Sequence, residues 1–564
     1  MNLFGCEHRA TREYLCPLAL DTLEFRLFTE TCVKDVILHY FKRNTLDFRK
    51  STMTCDLSTC ERKLWESTVV FPERVHYIKY YFELETESGA RLFLNEIGLS
   101  KDVPSDGFFE FLCAGSMDSL VVPSWAEGIV FYQIFPDSFA SVDQKRRTDM
   151  HPWDSVPDSR YFGGNLKGIE SKIPYLKDLG VGCIYLNPVF KAEFNHKYAT
   201  IDYFEIDEGF GTKEDFRSLV ESLHSAGIRI VLDGVFNHTS TRFHAFEDVV
   251  RNGRLSKYVD WFYFDSFPVS QDPLNYMCVG DYCHMPKLNT GNLEVQAFIL
   301  SVMEYWIEEF GIDGWRFDVA DEVEPLCWSF VRRTLKSKYP SALLLGECWS
   351  DAYRIVGDGN QLDISMNYLF RNACLGFFAK NGSAHRFAED ISHMLMRYHK
   401  RTNKANFNLL GSHDTERFLS SCAMDEDSLR LAFAFQMFFV GSPSIYYGDE
   451  VGMHGGNDPL CRAGMRWCDA NSKLHDYVRG LVRFRNESEI VKHGDFRQLY
   501  VSESQSLYIF IRFNATDCIG FAFNSSNEDQ IVDDSSVLDY FGISSLKINR
   551  KSYQILHRNT GGMK

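Results

Sequence analysis

Three carboxylates in this sequence each follow a short apolar run of the length of a buried strand. Asp318 follows the run 314–317, Glu347 the run 343–346, and Asp414 the run 408–412 with His413. One acid at a strand end is often only a helix N-cap, but three acids on one rim favour a catalytic cleft. No set of cysteine or histidine metal ligands accompanies these acids, so their negative charge is suited to stabilising a cationic transition state. Glycoside hydrolysis has one, and needs a carboxylate nucleophile and a carboxylic acid as proton donor.

The apolar runs indicate the elements that must position these acids. From residue 128 onward they alternate with helix-length amphipathic segments, and they cover residues 129–135, 181–189, 228–236, 312–319, 342–348, 362–367, 406–412 and 442–448. Nearly continuous apolar strands are typical of a parallel sheet that is buried on both faces. Eight such units predict an α/β fold, a (β/α)8 TIM barrel whose active site lies at the carboxyl ends of the strands.

Two of the intervening helices have clear sequence signals. Thr212 with Asp215 three residues later is an acidic variant of the capping box, and Gly227 should end that helix. Apolar residues recur at helical spacing from Val295 to Phe310, and Gly311 should end the second helix.

Flanking segments predict further domains. Residues 1–123 contain runs of alternating polarity such as 75–84, typical of the half-exposed strands of an N-terminal β-sandwich. The barrel is expected over 124–485, and the stretch 239–288 is too long for an ordinary loop, so it predicts an inserted subdomain. Strand patterning returns over 486–564 and predicts a small all-β C-terminal domain, a second β-sandwich.

Composition restricts the possible partners. The chain has 564 residues, 15% aromatic residues and a net charge of −17, which argues against disorder and against a nucleic-acid partner. We find no secretion signal and no run of the roughly 18 apolar residues that a membrane helix needs. The 16 cysteines form no Cys-x-x-Cys pair, so reduced thiols in a cytoplasmic protein are expected. Cys278 and Cys283 are close in sequence, but a metal site there is not expected.

The acids lie in segments that resemble the four short conserved blocks of glycoside hydrolase family 13, the α-amylase family. These segments read Asp233-Gly-Val-Phe-Asn-His238, Gly314-Trp-Arg-Phe-Asp-Val-Ala-Asp-Glu322, Gly346-Glu-Cys-Trp349 and Leu410-Gly-Ser-His-Asp-Thr-Glu416. Met285-Pro-Lys-Leu-Asn289 resembles a fifth block, in the form of the neopullulanase, cyclomaltodextrinase and maltogenic amylase subgroup. The resemblance extends over nearly the whole chain, because this subgroup also has an N-terminal carbohydrate-binding-like sandwich, an inserted domain B and a β C-terminal domain.

The resemblance implies roles for the acids. Asp318 would attack the anomeric carbon, and Glu347 would protonate the leaving oxygen and then activate water, so that the anomeric configuration is retained. Neighbouring Asp318 and Asp414 should raise the pKa of Glu347. Arg316, two residues before Asp318 on the same strand face, would keep the nucleophile ionised. Asp233 and Asn237 are expected to be scaffold.

The remaining residues that match the family would bind sugar. Asp414 and His413 match residues that bind the 2- and 3-hydroxyls at the cleavage point, His238 one that binds the 6-hydroxyl, and Tyr198, with His196 beside it, the ring on which that sugar stacks. Asp458 and Arg462 match ligands of the next sugar on the non-reducing side. Glu322 and Trp349 match positions toward the leaving group, where they could influence the choice of acceptor.

The sequence departs from the family at several places. Ala199 stands where the subgroup usually has Asp, and Asp321 where Asn is usual. Phenylalanines that enter a cyclodextrin ring are replaced by Cys278-Val-Gly-Asp281, although Tyr276 and Tyr282 could substitute for them. The segment Phe139-Ala-Ser-Val-Asp143 offers few oxygen ligands where a calcium loop would be. No cofactor and no metal are therefore expected.

The expected function is a retaining α-glucan hydrolase that cleaves α-1,4 bonds in maltooligosaccharides, cyclodextrins or pullulan, with α-1,6 cleavage left open. Transfer to a sugar acceptor is an alternative within the same chemistry. A glycan-binding protein without catalysis is a third, but it would be expected to lack one of the carboxylates, and all three are present. The resemblance also implies a homodimer in which the N-terminal domain covers the neighbour's active site.

Overall fold

A computed structural model describes residues 5–45, 47–115, 121–142, 150–158, 160–357, 359–468 and 470–558. The N-terminal part forms two antiparallel sheets, one in the order β1-β2-β6-β5 and the other in the order β4-β3-β7-β8-β9 with β10 beside β7. Leu23, Phe25 and Leu27 of β2 and Tyr80 and Phe82 of β7 are fully buried between them. This confirms the predicted β-sandwich. Its strands are β1 Leu15–Ala19, β2 Thr22–Glu30, β3 Val33–Lys42, β4 Arg49–Thr52, β5 Thr54–Ser58, β6 Arg62–Val70, β7 His76–Thr86, β8 Arg91–Leu94, β9 Leu99–Ser100 and β10 Phe109–Cys113.

Eight parallel strands follow and form the barrel. In chain order they are β11 Phe131–Ile134, β12 Cys183–Leu186, β15 Arg229–Gly234, β16 Gly314–Phe317, β17 Leu343–Gly346, β18 Ile364–Ser365, β19 Phe407–Leu409 and β20 Ser442–Tyr446. Consecutive barrel strands pair with each other except β18 and β19, β20 also pairs with β11, and a parallel bridge between Met366 and Phe407 closes the ring between β18 and β19. Every strand lies within one of the eight apolar runs, so the predicted barrel is confirmed. The hairpin β13 Phe190–Ala192 and β14 Thr200–Ile206 stands outside it.

Side chains alternate across the barrel wall. Phe131, Tyr185 and Leu345 point into the barrel and pack together, whereas Tyr132, Ile184 and Leu344 belong to the cluster that packs against the surrounding helices. Because the side-chain period of a strand is two, Gln133, Asp233 and Arg316 also face inward, at the upper end of the barrel. The carboxyl end of the barrel is therefore where its polar side chains gather.

The surrounding helices include both of those that the sequence predicts. In α4, Thr212 and Asp215 make both hydrogen bonds of the capping box, and α6 ends at Gly311, whose φ of 73° favours glycine. The helices are α1 Pro136–Phe139, α2 Leu166–Ser171, α3 Ile173–Leu179, α4 Lys213–Ser225, α5 His244–Asn252, α6 Leu293–Phe310, α7 Pro325–Lys338, α8 Tyr353–Val356, α9 Tyr368–Cys374, α10 Ala384–Arg397, α11 Lys400–Ala405, α12 Phe418–Ser421, α13 Glu426–Phe438, α14 Ser472–Glu487 and α15 Glu489–His493.

The long connection after β15 contains α5 and short bridges instead of a sheet. It returns to the barrel where Lys287 bridges to His238. The C-terminal part has β21 Asp495–Ser502, β22 Leu507–Phe513, β23 Cys518–Asn524, β24 Gln530–Val532, β25 Leu546–Ile548 and β26 Ser552–His557. Strand patterning did not indicate the helix α16 Ser535–Phe541, whose Val537 and Phe541 pack on these strands. None of the helices in the described ranges is long and apolar enough to cross a lipid bilayer.

A buried ion pair joins the N-terminal sandwich to the barrel. His399, between α10 and α11, contacts Glu24 of β2 through Nδ1, and its Nε2 lies 2.9 Å from the carbonyl oxygen of Arg12. Both acceptors require a hydrogen on the ring nitrogen that faces them, so the imidazole is protonated. Burial alone would lower the pKa of His399, but Cys16 and Glu24 raise it to about 10.

We expect His399→Gln to lower the free energy of unfolding at pH 7 by about 3 kcal/mol, because it leaves Glu24 buried without its cation. A raised histidine pKa stabilises the fold fully below about pH 6.5, and this stabilisation is lost as the pH rises through 10. The difference between wild type and variant should therefore narrow at high pH. Urea denaturation at pH 7 and pH 10.5 measures it.

His393→Gln is the matched control for this variant. His393 is half exposed and lies 3.8 Å from Glu389 one helical turn away, so its loss should cost less than about 0.5 kcal/mol. An equal loss for His399→Gln at both pH values would contradict a charged His399.

Candidate active site

A fully buried guanidinium lies at the centre of the barrel mouth. Nη1 of Arg316 lies 2.7 Å and 3.0 Å from the two oxygens of Asp233 and 3.0 Å from Oδ1 of Asp318. Its Nη2 lies 2.8 Å from Oε2 of Glu347, an ion pair without hydrogen-bond geometry. One cation therefore brings three carboxylates together, as the sequence predicted for Asp318 and Glu347.

Strand pairing places these groups side by side. Asp233 of β15 is in register with Arg316 of β16, and Phe317 of β16 with Gly346 of β17. Asp318 and Glu347 therefore follow neighbouring strands at the same level. Val319 then turns into the left-handed region with a φ of 44°, a strained conformation for a β-branched residue. Its N–H donates to Oε2 of Glu347 at 3.0 Å.

Burial dominates the protonation of the carboxyls of Asp318 and Glu347. It raises the pKa of both Asp318 and Glu347, while Arg316 lowers both. The charge of Glu347 raises the pKa of Asp318 further, and the charge of Asp414 does the same for Glu347. Because the two carboxyls repel each other, they titrate as a pair that retains one proton beyond the range of an ordinary carboxylate.

Asp414 is in a different electrostatic environment. Nε2 of His413 lies 2.9 Å from its Oδ2, and Nη2 of Arg462 donates to its Oδ1 at 2.9 Å. Burial alone would raise the pKa of Asp414, but His413 and Arg462 lower it well below its ordinary value. Asp414 is therefore a permanent anion beside a pair that holds a proton.

Tyr198 links the two sides of the mouth. Its hydroxyl donates to Oδ2 of Asp233 at 2.9 Å and lies 2.5 Å from Nε2 of His413. Its ring is nearly parallel to that of His413, with centroids 5.5 Å apart. His196 accepts a hydrogen bond from the backbone N–H of Tyr198, and burial lowers its pKa to about 3. The partly exposed ring of Tyr198 is thus held in a fixed orientation.

His238 is buried, and its ring nitrogens make no hydrogen bond of regular geometry among the described residues, although the backbone of Tyr198 lies close enough to act on its pKa. Burial lowers its pKa to about 3, so the ring is neutral. Buried polar groups are ordinarily hydrogen-bonded. The two ring nitrogens beside the mouth are therefore available to a ligand that carries hydroxyl groups.

The residues expected near the leaving group form two clusters. Trp349 is 49% exposed, and one of its faces stacks on Tyr368 at 4.2 Å between centroids. Glu322 accepts hydrogen bonds from Lys287 at 3.0 Å and from Asn237 at 3.1 Å. Lys287 also donates to Oδ1 of Asn237 at 2.6 Å, so Glu322 is tied to the long connection after β15.

On the opposite side a cavity of about 220 Å³ is lined by His196, Phe162, Asp458 and Arg462, among others. Asp458 is exposed and pairs with Nη1 of Arg462 at 2.8 Å. Arg462 is itself buried, and its Nε donates to the carbonyl oxygen of His413 at 2.8 Å. Arg462 therefore orders the segment of His413 and Asp414 in addition to facing the cavity.

The proposed substitutes for the missing phenylalanines differ from each other. Tyr276 is 3% exposed and its hydroxyl donates to the carbonyl oxygen of Cys283, whereas Tyr282 is 59% exposed. The expectation that Tyr276 could enter a cyclodextrin ring is therefore wrong, because its ring is packed against Phe246 and Phe264. Tyr282 has the exposure that such a role requires.

In the described part of the segment after β11, where a calcium loop would lie, two polar side chains are engaged in hydrogen bonds. Asp137 accepts the backbone N–H groups of Phe162 and Gly163, and the side-chain oxygen of Asn165 accepts the N–H of Gly168. Asp143 lies outside the described residues. Within the described ranges no group of three or more His, Cys, Asp or Glu residues could hold a metal ion.

Sequence reasoning missed several residues of this site. Gln133, Tyr185 and Asn187 are buried and hydrogen-bonded to the groups above, and Lys287 holds Glu322. The signal for the first two was available: each is a polar or hydroxyl group on an inward position of a barrel strand. Asp233, expected to be scaffold, accepts hydrogen bonds from Arg316, Tyr185 and Tyr198.

The arrangement combines a buried carboxyl pair that retains a proton with an ionised carboxylate and a neutral imidazole. Such a pair can supply one nucleophile and one acid, provided that the reacting atom lies between them. The surrounding Tyr198 and Trp349 rings can stack against the C–H face of a sugar. The site therefore suits a retaining attack on an acetal carbon.

Comparisons with known proteins agree with this chemistry. The model described as the α-amylase catalytic domain matches residues 133–480, and the α-amylase N-terminal ig-like domain matches residues 1–115. A cyclomaltodextrinase of Geobacillus thermopakistaniensis is 42% identical over 475 residues, which cover 82% of this chain and 80% of the relative. Neopullulanase 2 of Thermoactinomyces vulgaris is 40% identical over 466 residues, with 81% and 79% covered. The intracellular maltogenic amylase of Bacillus subtilis is 39% identical over 456 residues, with 79% and 75% covered.

Among solved structures, one titled cyclomaltodextrinase superposes with a TM-score of 0.88 at 34% identity. It covers 93% of this chain and 92% of its own. The similarity therefore extends over the N-terminal sandwich and the C-terminal strands as well as the barrel.

We expect Arg316→Gln to lower the free energy of unfolding at pH 7 by about 3–5 kcal/mol, because it leaves three buried carboxylates without their cation. This loss should shrink at pH 4, since carboxylates that take up protons need no cation. Urea denaturation at the two pH values measures both effects.

Arg485→Gln is the control for burial of a guanidinium. Arg485 is also fully buried, but it donates to the carbonyl oxygens of Gly128, Met437 and Phe439, which do not titrate. Its loss should be similar at pH 7 and pH 4. If the loss of unfolding free energy for Arg316→Gln were also the same at both pH values, the carboxylates would not depend on the charge of Arg316.

Proposed function

This chain belongs to the α-amylase family, and we propose how its active site performs the chemistry of that family. It is a hydrolase that cleaves α-glucosidic bonds of α-glucans with retention of the anomeric configuration. Within that activity, we assign the reacting groups to Asp318 and Glu347. The observation that carries this assignment is that one guanidinium, that of Arg316, contacts both carboxyls at the ends of adjacent strands.

In the first step Oδ of Asp318 attacks the anomeric carbon. The bond from that carbon to the glycosidic oxygen breaks, and the leaving oxygen takes the proton of Glu347. The product is a glucosyl ester of Asp318 and a free hydroxyl on the departing sugar. Burial and the charge of Asp414 raise the pKa of Glu347. Nη1 of Arg316 donates a hydrogen bond to Asp318 but not to Glu347. We therefore assign the proton of the pair to Glu347 and the anion to Asp318.

In the second step Glu347, now a carboxylate, takes a proton from a water molecule. The hydroxide oxygen forms a bond to the anomeric carbon, the ester bond to Asp318 breaks, and Glu347 is protonated again. Two inversions give overall retention. Arg316 contacts both carboxyls, so it stabilises whichever of them is the anion at each stage.

In this proposal, four side chains at the barrel mouth bind the sugar at the cleavage point. Asp414 and His413 face its hydroxyls from one side, and the ring nitrogens of His238 are available to another hydroxyl. Tyr198 offers the stacking surface. The next sugar on the non-reducing side fits the cavity at Asp458 and Arg462, whose volume of about 220 Å³ accommodates one hexose.

The substrates that we propose are maltooligosaccharides, cyclodextrins and pullulan. The names of the relatives support this range, and exposed Tyr282 supports an apolar contact with a cyclodextrin ring. Transfer to a sugar acceptor is the second candidate, because Glu322 and Trp349 on the leaving-group side could bind one. The cytoplasm is the proposed location, which the name of the intracellular maltogenic amylase supports.

We also propose a homodimer in which the N-terminal sandwich of one subunit lies over the cleft of the other. The exposed apolar side chains Ile97, Val103 and Leu112 of that sandwich support a protein contact. Sedimentation velocity should give the mass of a dimer for the full chain. A full-length monomer at micromolar concentration would overturn this proposal.

We expect Asp318→Asn to abolish the release of reducing sugar from maltotriose, with a loss of at least about 10⁴-fold, because the amide is not a nucleophile. Glu347→Gln should lose roughly 10²- to 10⁴-fold on maltotriose. With α-maltosyl fluoride, whose leaving group needs no acid, only Glu347→Gln should recover the first step. Reducing-sugar and fluoride-release assays distinguish the two roles.

Asp321→Asn is the matched control, since Asp321 lies on the same turn as Asp318 but its side chain accepts a contact from the thiol of Cys348 and not from Arg316. It should keep near-normal activity. Normal activity of Asp318→Asn would overturn the assignment of the nucleophile, and recovery of both variants on the fluoride would overturn the division of roles.

A further inference from the structure

A continuous set of buried polar side chains runs beneath the cleft from Asp233 to His413. At its first end, the hydroxyls of Tyr185 and Tyr198 donate to Oδ2 of Asp233 at 2.6 Å and 2.9 Å. A hydroxyl carries a single hydrogen, so both oxygens can only accept from any further partner. That partner is Asn187, one side-chain atom of which lies 3.1 Å and 3.0 Å from these oxygens. It must be the amide nitrogen.

The orientation of Asn187 determines that of Gln133. With its nitrogen toward the tyrosines, Asn187 presents Oδ1 to Gln133, which must donate, and its Nε2 lies 3.0 Å away. The same Nε2 lies 2.8 Å from Nδ1 of His413. An amide nitrogen donates and does not accept. Nδ1 of His413 therefore carries no hydrogen.

The remaining ring nitrogen of His413 faces the substrate side. Nε2 lies 2.9 Å from Oδ2 of Asp414 and 2.5 Å from the hydroxyl of Tyr198, whose hydrogen is already given to Asp233. With a hydrogen on Nε2, both contacts are favourable. With the opposite tautomer, a bare lone pair would face a carboxylate and a hydroxyl oxygen.

We propose that Gln133 is a positioning residue that fixes the tautomer of His413 with the hydrogen on Nε2. This inference rests on the proposed function, in which His413 and Asp414 bind hydroxyls of the sugar at the cleavage point. Gln133 makes the Nε2 face of His413 a donor and thereby holds Asp414 in place as the acceptor beside it. Asp233 can only accept hydrogen bonds, and this determines the direction of the hydrogen bonds that Asn187 and then Gln133 make.

The rest of the Gln133 amide supports this assignment. Its Oε1 is buried and has no hydrogen-bond partner among the described residues. An orphaned buried acceptor destabilises a fold, and an apolar side chain of similar size would avoid it. What the amide contributes at this position is therefore its nitrogen, which contacts Asn187 and His413.

The test exchanges the donor for an acceptor of the same shape. In Gln133→Glu, a carboxylate faces Nδ1 of His413 and draws a proton to it. In protein labelled with 15N-histidine, long-range proton–nitrogen spectra show which ring nitrogen is protonated, and the His413→Gln variant assigns the resonances. We expect a hydrogen on Nε2 alone in the wild type and on Nδ1 in Gln133→Glu, with kcat/KM for maltotriose reduced roughly 10- to 100-fold.

Gln436→Glu is the matched control. Gln436 is equally buried, its Nε2 donates to the carbonyl oxygens of Asn408 and Ser444, and its Oε1 is also without a partner in the described part of the chain. It should lose stability and leave the His413 spectrum unchanged. A change of the His413 tautomer in this control would show that any buried carboxylate suffices, and would overturn a specific role of Gln133.

The wild-type spectrum alone decides the central point, even if Gln133→Glu fails to fold. A hydrogen on Nδ1 of His413 in the wild type at neutral pH would overturn the inference, as would an unchanged tautomer in folded Gln133→Glu. These readouts do not depend on activity. Failure of the proposed function would be seen instead as activity that survives in Asp318→Asn.

Discussion

The site depends on a single positive charge buried beneath three carboxylates. Arg316 cannot give up its proton, and its pKa is raised further by Asp233 and Glu347 in spite of burial, which acts in the opposite direction. One cation cannot neutralise three anions in a medium of low dielectric constant, so a proton is retained among the acids. The interaction that holds the cluster together therefore also provides the acid that glycoside cleavage needs.

This cluster is possible only because the barrel supplies paired inward positions on neighbouring strands. Arg316 and Asp233 are in register on two adjacent strands, while their neighbours Trp315 and Leu232 pack against the helices. A shift of register by one residue would turn the guanidinium toward the helices. Short strands suffice because the closed ring, completed at Met366 and Phe407, leaves no edge.

The sequence predicted the barrel, the N-terminal sandwich and the convergence of the acids well, because apolar runs and strand-end polar residues are local signals. Interactions between distant segments were less accessible. The sequence did not indicate a role for Gln133, since that role depends on Asn187 and on His413, 280 residues away in sequence. The burial of Tyr276 was not predictable either, because it depends on how α5 folds over the connection that contains it.

The side chains on the two sides of the barrel mouth are positioned by different interactions, and Tyr198 connects the two sides. On the side of Arg316, charge fixes the distances between groups that change protonation during the reaction. On the side of His413, neutral amides fix which atom donates, without placing a further charge near the acids. Because the Tyr198 hydroxyl donates to Asp233 and accepts from Nε2 of His413, the anion on the first side determines hydrogen-bond direction on the second. The ring of Tyr198, which we propose as the stacking surface for the sugar, is thereby oriented by the same ion cluster to which we assign the chemistry.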